Sequence, residues 1–218
     1  MAKQDRAIQT RDSIVTGAAK VFYRVGYAGA SISMIAEEAG VTKGALYFHF
    51  SAKEDIARAV IDAEHKSVTD AAQQINETTT SPVEIMMLMC ADLAQKLVSD
   101  PVVRAGIRLT TSGAIFDPPT RAPYDEWLEI FEALSRSAIE AGEFRDTTDP
   151  AKLAHFIIPS FTGVQLLSDV LTDMADLMTR VGEMWEMILP AVAVPKQLEP
   201  LIAVGARVFS RKLVRPKG

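Results

Sequence analysis

The sequence predicts an all-α fold in two parts, and three observations carry that prediction. Apolar residues recur every three or four positions along most of the chain, and no run alternates as a half-buried strand would. Where the periodic runs stop, Ser or Thr, Gly, and Asp followed by Pro mark starts and ends. Composition agrees, since 48% of the 218 residues are hydrophobic and 23% charged, which suits a chain that folds around a core. There is no low-complexity tract or internal repeat.

The first helix is expected over 10–25, with Ile14, Ala18, Val21, Phe22 and Val25 on one face and Gly26 as its stop. A short helix follows from Ser31, an N-cap by its hydroxyl, with the stripe Ile32, Ile35, Ala36 and Ala39 ending at Gly40. A third short helix opens at Thr42 and carries Ala45, Leu46 and Phe48 as its apolar residues. Ser51 then starts a long helix to Asn76, with Glu54 and Asp55 in its first turn complementing the macrodipole. Further helices are expected at 82–98, 101–112, 123–141, 149–172, 174–189 and 196–211. The longest irregular stretch is GAIFDPPTRAP, and Pro159 should kink its helix or leave a carbonyl unpaired. The domain boundary is set at 52/53, giving a small domain over 1–52 and a large one over 53–218.

Charge is unevenly spread. The net charge is -5, yet residues 1–53 hold seven basic and four acidic side chains, leaving +3 there and -8 beyond. A basic end on an acidic body suits a protein that touches phosphates at one end, although short segments also drift from the mean by chance. The charged N-terminus reads as no signal peptide, and no uninterrupted apolar run approaches a bilayer's width. The single cysteine, Cys90, excludes an intrachain disulfide and fits a reducing cytoplasm.

Residues 31–50, SISMIAEEAGVTKGALYFHF, are the most informative. Two short amphipathic helices meet at a turn containing Gly40, the layout of a DNA-binding helix-turn-helix. On the second helix Thr42, Lys43, Tyr47 and His49 offer donors of graded reach for phosphates and base edges. Gly44 would let that helix's N-terminus approach the groove. An ordinary helical hairpin with a polar outer face fits the same pattern.

Residues 9–55 resemble the N-terminal domain of TetR-family repressors, through VFYRVGY, IAEEAGV, TKGALYFHF and SAKED. The resemblance implies that Ser31 and Ser33 begin a helix pressing on the DNA backbone and that Thr42, Lys43 and Gly44 enter the major groove. Tyr47 and His49 would contact phosphates and Lys53 would clamp the backbone, while His49 also suits a half-buried position at a helix end. Lys43 is the expected base reader, because an ammonium reaches guanine O6 and N7.

The remainder is rich in soft or flat apolar side chains: Met86, Met87, Met89, Phe116, Trp127, Phe131, Phe156, Phe161, Met184 and Trp185. Thr110, Thr162 and Gln165 could orient a small, largely apolar molecule among them, and the same stripe also suits plain core. MAKQDRAIQT, DPVVRAGIRLTTSG, PYDEWLEI, SFTGVQLLSD and EMWEMILP resemble the γ-butyrolactone receptors of actinomycetes. That likeness implies a lactone-like ligand, with Trp127 lining its pocket and Thr162 anchoring the ring. Met86, Met89, Phe131 and Phe161 would hold the tail, with Thr110 and Gln165 as further polar contacts. Glu64 would either reach the pocket floor or stand solvated on the surface.

The expected function is therefore a cytoplasmic homodimeric repressor that binds a palindromic operator and is released by a small ligand, controlling secondary metabolism such as antibiotic biosynthesis. An orphan relative sensing an antibiotic, butenolide or furan, or a DNA-binding dimer with no ligand, are the alternatives. No cofactor, metal or membrane partner is expected. His49, His65 and His155 lack metal-ligand spacing, Cys90 lies on an apolar face, and neither a phosphate loop nor a nucleophile elbow occurs, so catalysis is not expected.

Overall fold

A computed structural model describes residues 2–111, 122–210 and 212–214. Most of the proline-containing stretch expected to be irregular, including Phe116, lies outside the described residues. Among those residues ten helices occur: α1 (Ala2–Gly29), α2 (Ile32–Glu38), α3 (Lys43–His49), α4 (Lys53–Asn76), α5 (Pro82–Ser99), α6 (Pro101–Thr111), α7 (Ala122–Glu140), α8 (Pro150–Thr172), α9 (Leu177–Val192) and α10 (Pro195–Phe209). The one extended pairing described is a single antiparallel bridge between Phe144 and Ala193.

The chain forms two compact units, and they do not follow a single cut at 52/53. The first comprises Met1–Thr69 with Asp100–Thr120, the second Asp70–Ser99 with Arg121–Gly218. The long helix α4 contributes to both, and α6 belongs to the first.

In the first unit, α1 starts earlier than expected because its opening turns are polar good helix formers without an apolar stripe. Gly26 does break the helix, at φ 72°, but the chain resumes helical geometry to Gly29. Val25, expected in the core, is exposed at the edge of that break. The core gathers Ile14, Ala18, Val21 and Phe22 of α1, Ile35 of α2, Leu46 of α3, Ile56 and Val60 of α4, and Leu109 of α6. Helix α6 lies across α1. Its Arg104 and Arg108 guanidinium groups stand 4.0 and 5.5 Å from the Tyr23 ring, and Arg108 also donates to the Tyr23 carbonyl at 3.0 Å. A Cβ on Gly106 would come within 2.5 Å of Glu64 Cβ, so only glycine allows α6 this close to α4. Glu64 is 4% exposed there, which overturns the solvated surface carboxylate.

The second unit packs α5, α7, α8, α9 and α10 around Met86, Met87, Leu97, Phe131, Phe144, Ile157 and Trp185. Helix α8 is capped by Asp149, whose side chain accepts from Lys152 N. It runs through Pro159 as one helix, with that proline on the exposed side. By length and composition α8 alone among the described helices is apolar enough to cross a membrane, although charged and polar residues interrupt it. Its two apolar faces explain this: Leu153, Ile157 and Phe161 are buried, whereas Phe156, Leu166, Leu167, Val170 and Leu171 are exposed.

The turn from α8 to α9 places Asp173 and Met174 at positive φ. Asp176 holds it: Ser168 Oγ and Thr172 Oγ1 each donate to Oδ1 at 2.6 Å, and Arg180 Nε donates to Oδ2 at 3.1 Å. Those two hydroxyls, then Arg180, hold the carboxyl down from 3.8 to about 2. A depressed carboxyl stabilises the fold fully above its ordinary value and loses that contribution as pH falls through the lowered one. The Tm advantage of the wild type over Asp176→Asn is therefore expected to be constant above about pH 4 and to vanish near pH 2. An advantage that does not change across that window in thermal unfolding would show that the network contributes nothing.

Candidate functional site

The turn between α2 and α3 follows from local chemistry. Ser31 caps α2, its hydroxyl accepting from Met34 N at 3.3 Å. At the other end Gly40, with φ 65°, closes the helix by two bonds, Gly40 N to Glu37 O at 3.1 Å and Val41 N to Ala36 O at 2.9 Å. Those reversed bonds satisfy the last carbonyls of α2 and turn the chain, and the left-handed residue they need favours glycine. Thr42 then caps α3, accepting from Ala45 N at 3.1 Å.

Helix α3 has seven residues and one fully buried side chain, Leu46. With that anchor inward, Lys43, Gly44, Tyr47 and Phe48 point out. Phe48 was expected in the apolar stripe, yet it is 82% exposed. The core position is taken instead by Phe50, just beyond the helix in extended backbone, with the Arg11 guanidinium 5.3 Å from its ring. His49 is half-buried and meets the Phe48 ring edge-on at 5.2 Å.

Most of the first-unit residues chosen from sequence are exposed. Thr42, Lys43, Gly44 and Tyr47 are exposed on α3 or its cap, and Ser31 and Ser33 are exposed at the start of α2. Lys53 is held differently. Its ammonium donates to the carbonyls of Tyr27 at 2.8 Å and Ala30 at 2.9 Å and stands 4.5 Å from the Tyr27 ring. It thus ties the end of α1 to the start of α4, leaving one N–H for an outside acceptor. Burial is the main reason the Tyr27 hydroxyl is raised above its usual range, followed by the negative charge of Glu54. The exposure of Phe48 and the contact of Arg11 with Phe50 were not legible in the sequence, because periodicity alone could not tell which of Phe48 and Phe50 faces in.

The residues expected to meet a ligand are divided between the units. Thr110 lies on α6 in the first unit, where its hydroxyl donates to Gly106 O at 2.6 Å. The others are in the second unit. Met86, Met89, Phe131, Phe161 and Gln165 are buried there, and Trp127 and Thr162 are half-buried. The Trp127 and Phe131 rings stand 5.6 Å apart, and one turn further along α7 Ser135 Oγ donates to Phe131 O at 2.7 Å and lies 3.9 Å from Met86 Sδ. Thr162 donates back to Ile158 O at 3.0 Å. None of these residues lines the two open clefts described in this unit, of about 510 and 500 Å³.

Sequence reading gave Trp185 no site role. It is 1% exposed, and among the described residues no hydrogen-bond partner accepts from its Nε1. The nearby Cys90 thiol is pushed up to about 12 by burial, with the indole N–H pulling the other way. A thiol this far from ionising is no nucleophile.

A capped, glycine-turned helix pair exposing Lys43 and Tyr47, beside a second helical unit, has the layout of a helix-turn-helix DNA-binding regulator. Residues 14–60 match the model of bacterial regulatory proteins of the tetR family, and residues 80–195 match the tetracyclin repressor-like C-terminal domain. The chain belongs to the TetR family of transcriptional regulators, and its relatives are regulators, not enzymes. It is 41% identical to the A-factor receptor protein of Streptomyces griseus over 195 residues, 89% of this chain and 68% of that one. A solved gamma-butyrolactone receptor, an ArpA-like protein, is 31% identical and superposes with a TM-score of 0.80 over 94% of this chain and 98% of its own. CprB of Streptomyces coelicolor, solved with its operator sequence, is 32% identical with a TM-score of 0.77 over the same shares, 94% and 98%.

Gly44 offers a direct test of the exposed face. A Cβ there would meet only Thr42 Oγ1 at 3.9 Å, so folding does not require glycine. Gly44→Ala should melt no lower than wild type, since alanine favours a helix by about 0.8–1 kcal/mol. If the backbone closely approaches DNA, the same variant should bind operator roughly tenfold more weakly. Unchanged affinity in a gel shift would mean that no close approach occurs at this point.

Proposed function

We propose that two copies of the protein hold a palindromic operator through α2 and α3 and release it when a small lactone-like molecule enters the second unit. The observation that carries the DNA half is the outward face of α3, where a lysine, a glycine and a tyrosine stand exposed, away from the core that holds Leu46. In this reading Lys43 hydrogen-bonds a guanine edge, and Gly44 lets the backbone come close. Tyr47, His49, Ser31, Ser33, Thr42 and the remaining N–H of Lys53 hold phosphates.

Dimerisation is supported by an apolar surface that a lone chain leaves wet. Phe156, Leu166, Leu167, Val170 and Leu171 of α8 and Met187 of α9 are all exposed. Helices α8 and α9 pack on each other, so two copies pairing through them would bury these side chains in a four-helix arrangement. Two linked copies read two half-sites, which gives specificity that one short helix lacks.

The ligand half rests on the relatives named for A-factor and gamma-butyrolactone and on the chemistry of the second unit. Among the described residues the buried indole N–H has only the Cys90 sulfur, a weak acceptor, on offer, and a lactone carbonyl would be a stronger one. Trp127, Phe131, Phe161, Met86 and Met89 supply flat and adaptable apolar contacts, with Thr162 and Gln165 as polar ones. The signal is passed through α4 and α6, where the chain goes from one unit to the other, and the protein acts in the cytoplasm on secondary-metabolism genes.

The proposal is tested by capturing genomic operator fragments and releasing them with culture extract or a synthetic γ-butyrolactone. Lys43→Ala should weaken operator binding by about 1–3 kcal/mol and relax its sequence preference, and an unaltered gel shift would remove Lys43 from the interface. Trp185→Phe should keep operator affinity, melt lower because it shortens a core side chain, and need roughly tenfold more lactone for release. Release at the wild-type concentration would mean that the indole N–H does not meet the ligand.

A further inference from the structure

A phenylalanine at 82% exposure on a short helix forgoes the stabilisation that burial would bring, so its place on the surface calls for a reason outside the core. Phe48 shares its arc of α3 with Lys43, Gly44 and Tyr47. Helical side chains lean toward the N-terminus, over the residue four positions back, and for Phe48 that residue is Gly44. No other side chain except Thr42 Oγ1 comes within 4 Å of the place a Cβ on Gly44 would take, so that position leaves room beside the ring. The ring itself is open to solvent, and its one described ring contact is the edge-on His49 at 5.2 Å.

We propose that Phe48 is a specificity residue that recognises the C5 methyl of a thymine beside the base pair met by Lys43. The inference rests on α3 lying in the major groove. Of the groups that base pairs present there, the thymine methyl is the only projecting hydrocarbon group, and the other projecting groups are hydrogen-bond donors or acceptors. A hydrocarbon ring has no hydrogen bond to offer, so the methyl is the one base feature it can distinguish. Lys43 selects by donating and Phe48 by apolar contact, giving two adjacent readouts of different chemistry on one helix face.

The test begins from random DNA and requires no known operator. A tight-binding duplex is selected from a random library with the wild-type protein, then resynthesised with deoxyuridine at each thymine of one half-site in turn, which removes the methyl alone. Affinities are measured by fluorescence anisotropy at one fixed salt concentration. Uracil at one position should weaken wild-type binding about fourfold, the worth of one buried methyl. Phe48→Ala should bind the thymine duplex more weakly and no longer distinguish thymine from uracil there, Phe48→Leu should retain part of the discrimination, and Lys43→Ala should retain all of it. The proposal is overturned if wild type binds every uracil duplex as well as the parent, if Phe48→Ala keeps the discrimination, or if Phe48→Ala binds unchanged. Because the uracil duplexes test the wild-type protein, a folding defect in a variant cannot decide the matter. Failure to select any duplex would instead remove the DNA-binding reading on which the inference stands.

Discussion

Leu46 is the one side chain of α3 that disappears wholly into the first unit, and much else depends on that burial. A seven-residue helix has too few backbone bonds to persist alone, so its tertiary anchor both stabilises and orients it. With Leu46 inward, the roughly 100° step of the helix sends Lys43, Gly44, Tyr47 and Phe48 outward without further constraint. The cap at Thr42 and the reversed bonds at Gly40 set where the helix begins, and Phe50 closes it from below. Lys53 completes the frame by joining the end of α1 to the start of α4, through the carbonyls of Tyr27 and Ala30.

Helix α6 is built into the same unit. Two guanidinium groups of α6 stand within 5.5 Å of the Tyr23 ring, and Gly106 brings the α6 backbone against the Glu64 side chain. Close-packed contacts of this kind have little slack. A displacement of α6 is therefore passed to α1 and α4 and is not absorbed locally. Since α6 follows α5 directly in the chain, the DNA-binding unit has a covalent connection to the second unit at a packed element.

The second unit combines a core of methionines and aromatics with an α8 that is apolar on two sides. A helix hydrophobic all round needs neighbours all round. Leu153, Ile157 and Phe161 find theirs within the unit, and Phe156, Leu167 and Val170 do not. Inside, the Trp185 N–H has only the Cys90 thiol, a weak acceptor, among the described residues.

Helix boundaries after the first were legible in the sequence to within a few residues, because Gly40, Asp149 and the Asp-Pro pairs act locally and leave signatures in a few adjacent letters. The exposed polar face of α3 was legible for the same reason, as was the burial of Cys90. Phe48, Val25, Glu64 and α6 were decided only by tertiary packing. A phenylalanine reads identically whether it faces the core or the solvent, and on α3 the choice between Phe48 and Phe50 depended on where the extended chain after the helix meets Arg11 and the core. Glu64 looked like a surface carboxylate until Gly106, far along the chain, was packed on top of it. Short-range hydrogen bonds write themselves into neighbouring residues, whereas contacts between distant segments exist only once the chain has closed on itself.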